Sequence, residues 1–134
     1  MAYWAWDSSY DIGIEEIDNQ HKRIVQYINE LHGALVLNDK DAVKDIFLNI
    51  ADYTLSHFSF EEKLMREAGY HMFAEHKSTH EAFISTIGKY KFAFDAGRDI
   101  TGQLMAELQI WLTHHILHED KDYKECVQKM LFSK

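Results

Sequence analysis

The chain has 134 residues, 46% of them hydrophobic, with no proline, one cysteine and a formal net charge of −8. That length suits one domain with a proper core, and the acidic balance argues against a nucleic-acid or anionic-membrane surface, either of which would repel it. No apolar run reaches the roughly 17–25 residues that a membrane span needs. The opening "MAYWAWDSSYD" lacks the basic and then apolar regions of a secretory signal, so a cytoplasmic protein without membrane insertion is expected.

Residues 1–17 form an aromatic-rich arm that alternates poorly, and we expect it to pack across the rest of the fold. A first helix is expected over 18–37, with Asp18 as N-cap and Ile24, Ile28, Leu31 and Leu35 in one stripe. The second is expected over 41–68, closed by Gly69, with core candidates Val43, Phe47, Ile50, Tyr53, Leu55 and Leu64. A third covers 72–95, with Phe73, Phe83, Ile84, Ile87 and Tyr90 as its apolar set, and a fourth covers 99–119 along Leu104, Leu108, Trp111 and Leu112. A short C-terminal helix is expected over 123–130. Short connections favour antiparallel neighbours. The expected fold is therefore all-α: an up-down-up-down four-helix bundle with an N-terminal arm, forming a single domain over 1–134.

Nine histidines are the compositional outlier, roughly three times an average chain's share. His21 sits on the first stripe, His57 and Glu61 are an i, i+4 pair on the second helix, and His76 and His80 are another on the third. His115 continues the Leu104–Leu108–Trp111 stripe of the fourth. Side chains four residues apart share a helix face, and a bundle interior is where facing helices can converge on a metal. Any one inward histidine is more simply a satisfied core residue; five with a carboxylate at helical spacing point to a metal centre. "HEAFI" and "HEDKD" both lack the second histidine of a zinc protease motif, and five imidazoles exceed what one tetrahedral zinc takes. Two ions sharing carboxylates would use them well.

The late carboxylate stays open on spacing alone, because helical geometry pairs His115 with Glu119 and His118 with Asp122. His118 is the main rival ligand. His32 lies about 16 Å along the axis from His21 and, with His71 and His114, is expected to be structural or solvent-facing. Cys126 cannot form an intrachain disulfide or a thiolate cluster, and is expected to be a free, partly buried thiol.

The motifs "DNQHK", "HFSFEEKLM", "HKSTH" and "WLTHHILHED", in this order, resemble the bacterial hemerythrin family over nearly the whole chain. The resemblance implies seven metal ligands: His21, His57, Glu61, His76, His80, His115 and Asp120. It further implies two non-haem iron ions joined by Glu61, Asp120 and a bridging oxo or hydroxo group. His76, His80 and His115 would then serve one iron, and His21 and His57 the other, which keeps an open position for dioxygen. Trp111 and Leu112 would wall the oxygen pocket.

A site with five neutral imidazoles is less anionic than Glu-rich di-iron oxidase sites, which favours reversible dioxygen binding over oxygen activation. The implied function is oxygen carriage, storage or delivery, with an oxygen-consuming protein as client, rather than an enzyme. A sensor acting through a separate partner is one alternative. A di-iron redox enzyme acting on peroxide, nitric oxide or iron is another.

Overall fold

The computed structural model describes residues 4–97, 101–115 and 120–132. A short 3-10 turn, Ser8–Tyr10, precedes five helices: α1 (Glu15–Val36), α2 (Lys40–Ala68), α3 (Phe73–Asp95), α4 (Thr101–His114) and α5 (Lys121–Phe132). The fold is all-α and has the four-helix-bundle architecture expected. Helix α2 packs against α1, α3 and α5, while α1 also meets α4. Lys44, near the start of α2, reaches Asp95 at the end of α3, as antiparallel neighbours require. Among the described residues, no helix is long and apolar enough to cross a membrane.

The ends of α2 follow from local chemistry. Asp39 is its N-cap and accepts from the Ala42 N–H at 3.1 Å. Gly69 takes φ 68°, and the Tyr70 N–H returns to the Met65 carbonyl, a left-handed stop for which glycine costs least.

Helix α1 begins at Glu15, earlier than Asp18 alone suggested, and Asp18 is not its N-cap. Its buried carboxylate instead accepts from the Ile12 N–H at 2.8 Å and the Gly13 N–H at 3.1 Å. Gly13, at φ 87°, lets the chain turn into that position. The arm is clasped again at Trp4, whose N–H and C=O each bond the Asn29 amide at 2.8 Å.

The inward face of α2 runs through Val43, Phe47, Ile50, Thr54, Phe58 and Met65. Leu55 lies off that phase, one residue or about 100° round from Thr54, and is 45% exposed. Ile84 stands in the same relation to buried Phe83 and is 38% exposed. Neither is a core residue; both edge a shallow apolar groove between α2 and α3, with Ala51, Thr54, Phe83 and Ile87. The expected start of α4 near Asp99 lies outside the described residues.

Candidate metal centre

The helical phase that buries these stripes also aims seven polar side chains into the bundle. His21 from α1, His57 and Glu61 from α2, His76 and His80 from α3, then His115 and Asp120 are all buried. Two overlapping clusters result: His21, His57, Glu61, His115 and Asp120 in one, and Glu61, His76, His80 and His115 in the other. Within each, the ligand atoms lie within 4.8 Å of one another.

The carboxylates stand between the imidazoles. Asp120 Oδ2 lies 2.8 Å from His21 Nε2, while its Oδ1 lies 3.1 Å from His76 Nε2 and 2.9 Å from His115 Nε2. One carboxylate thus presents one oxygen to each side of the site. Glu61 presents Oε1 to three imidazoles: His57 at 3.0 Å, His80 at 3.4 Å and His115 at 3.2 Å. Its other oxygen accepts a 2.5 Å hydrogen bond from the Tyr123 hydroxyl.

The i+5 spacing of His115 and Asp120 has a backbone cause. Both residues are themselves π-helical, a geometry in which positions five apart share a face. His118 and Glu119, the rivals left open by spacing, lie outside the described residues. Asp122 is exposed. Among the other histidines, His71 and His114 are exposed and His32 is half-buried. Cys126 is half-buried and donates its thiol to the Ala68 carbonyl.

Outer partners orient the rings. His57 Nδ1 donates to Gln20 Oε1 at 2.6 Å, and His80 Nδ1 lies 3.0 Å from Glu62 Oε2. Engaging Nδ1 in this way turns the Nε2 lone pair towards the centre, the usual arrangement of a metal-binding imidazole. Phe58 stacks on His80 with ring centroids 3.8 Å apart. Trp111 stacks on His115 at 4.5 Å and on Phe83 at 4.0 Å. Leu112 is buried in α4.

Sequence reasoning missed Tyr123, Gln20, Glu62 and Phe58. Two of them carry a periodic signal: Phe58 continues the inward stripe of α2, and Tyr123 shares with Val127 the buried stripe of α5.

The electrostatics suit a cation. Burial raises the cost of a charged Glu61, but the His57 and His115 imidazoles outweigh it and hold the carboxyl well below its ordinary range. For Asp120, burial and the Glu61 charge oppose ionisation, yet His115 and His21 bring its pKa down. Burial pushes His57 down against the pull of Glu61, favouring the neutral ring that a metal needs. Burial, then the Asp120 and Glu61 charges, push Tyr123 well up, so it remains a proton donor.

The close N···O approaches do not satisfy these groups. Among the described residues, Nε2 of His21, His57, His76 and His80 and both Asp120 oxygens have no hydrogen-bond partner. Orphaned buried polar atoms are costly. Here they all face a shared space, and the donor set of imidazole with two carboxylates fits a pair of iron ions.

The family model for the hemerythrin HHE cation binding domain matches residues 12–127. A bacteriohemerythrin of Stenotrophomonas maltophilia is 43% identical over 131 residues, covering 98% of this chain and 86% of its own. One from Pseudomonas aeruginosa is 43% identical over 128 residues, covering 96% and 84%. The crystal structure of wild-type hemerythrin superposes with a TM-score of 0.89 at 27% identity, covering 94% of this chain and 98% of that one.

Proposed function

The chain belongs to the hemerythrin family, and from that premise we propose that it binds dioxygen reversibly for carriage, storage or delivery. The observation that carries this reading is the convergence of five buried imidazoles on two shared carboxylates. We assign His76, His80 and His115 to one iron, His21 and His57 to the other, and Glu61 and Asp120 to the space between. When bound, such an iron pair supplies reversible two-electron chemistry with dioxygen.

The side chains do the rest. Asp120 spans the two sides with its two oxygens, and Tyr123 holds Glu61 by the oxygen that does not face the imidazoles. Gln20 and Glu62 fix ring tautomers. On this assignment the His21/His57 side holds two imidazoles against three, and so has the open place for a diatomic ligand. The three-imidazole side is closed by Phe58, Trp111 and Phe83. These rings and buried Leu112 exclude water, which protects a reduced centre from irreversible oxidation. The client is a protein that consumes oxygen, and the compartment is the cytoplasm.

Turnover separates the carrier from its alternatives. The reduced, iron-loaded chain should take up one dioxygen per iron pair and return most of it on purging, over repeated cycles. Sustained consumption of added reductant through many turnovers would favour a redox enzyme instead. A co-purifying protein whose binding changes with oxygen would favour a sensor.

A further inference from the structure

His21 differs from its neighbours in how it is held. His57 and His80 each engage Nδ1 with a polar side chain, whereas His21 Nδ1 is buried without a hydrogen-bond partner among the described residues. A ligand imidazole ordinarily has its ring plane set by such an outer bond. The edge of His57 lies on it at 4.6 Å, and the Trp6 indole stacks over it, with centroids 6.5 Å apart and planes 28° from parallel.

Trp6 is itself fixed. Its indole N–H donates to Asp11 Oδ1 at 2.9 Å, Tyr10 packs edge-on at 5.3 Å, and the Lys22 ammonium stands 5.8 Å from the ring. On either side of Trp6, the arm is anchored by Asn29 at Trp4 and by Asp18 at Ile12 and Gly13. Gln128 also donates to the Gly13 carbonyl at 3.2 Å. The half-buried Trp6 therefore carries a rigid aromatic face from the surface arm to a buried imidazole.

We infer that Trp6 is the positioning residue for His21, so that docking of the N-terminal arm and retention of the iron on the two-imidazole side are one event. This rests on the assignment of His21 as a ligand. Trp6 acts through His21, the buried ring that its indole faces. The arm becomes the outer wall of the less saturated side of the centre, which has fewer protein ligands to hold an ion in place.

The test is release of iron from the loaded full-length chain into excess chelator, followed as separate phases for the two ions. Trp6→Ala should speed loss of one iron by roughly tenfold or more, the range typical when a ligand loses its outer partner, and leave the other at the wild-type rate. Trp6→Phe, which keeps a flat face, should largely restore the slow phase. Asp11→Ala leaves the ring in place but removes its anchor, and should raise the same phase to an intermediate rate. That milder variant serves if Trp6→Ala does not fold.

Unchanged release in Trp6→Ala or Asp11→Ala, or equal acceleration of both ions, would overturn the inference, the latter marking plain loss of packing. A wild-type chain that binds no pair of irons would overturn the ligand assignment, and this inference with it.

Discussion

Glu61→Gln should reduce bound iron from two per chain to one or none. Glu61 and His115 are common to both ligand clusters, and Glu61 Oε1 faces imidazoles from α2 and α3 together with His115. An amide keeps the shape and can still accept from the Tyr123 hydroxyl, so the substitution removes charge and little else. Two buried cations would then lose one of two compensating anions. Leaving a buried charge unmatched costs about 3–5 kcal/mol, roughly a hundredfold or more in affinity. Iron analysis after gel filtration reads the result, and the melting temperature of the metal-free variant controls for folding. A Glu61→Gln chain that keeps two irons with unaltered affinity would remove Glu61 from the bridge.

The second large effect is a contrast between neighbours. Asp120→Asn should lose iron or alter the bridge spectrum strongly, while Asp122→Asn should behave as wild type. Asp120 is buried, with separate oxygens directed to His21 and to the His76/His115 pair. Asp122 sits two residues on and is exposed. Equal, mild effects of both substitutions would reopen the choice of the late carboxylate.

The parts of the centre legible in the sequence are those governed by the α-helical repeat. His57 with Glu61, and His76 with His80, are i, i+4 pairs, and the structure places each pair on one buried face. The stripe through Leu104 and Leu108 likewise leads to His115. Asp120 breaks that rule because the backbone at His115 and Asp120 is π-helical; spacing alone favoured Glu119, and only the family resemblance pointed to Asp120.

The outer partners were illegible for a different reason. Gln20 meets His57 across 37 residues of sequence, and Tyr123 meets Glu61 across 62. No periodicity records such contacts. Leu55 and Ile84 show the converse: an apolar side chain one step from a buried position looks like core in sequence yet lies at the surface. Asp18 suits a helix cap in sequence, but its carboxylate serves the incoming arm. A residue that suits two local roles is decided by where the preceding chain lies.

The most direct measurement is an optical spectrum with iron analysis on one sample, reduced without oxygen, exposed to air and then purged. Two irons per chain, with a visible charge-transfer band that appears in air and fades on purging, is the predicted result. Zinc, a single iron, or irreversible oxidation without such a band would contradict reversible dioxygen binding at a di-iron centre.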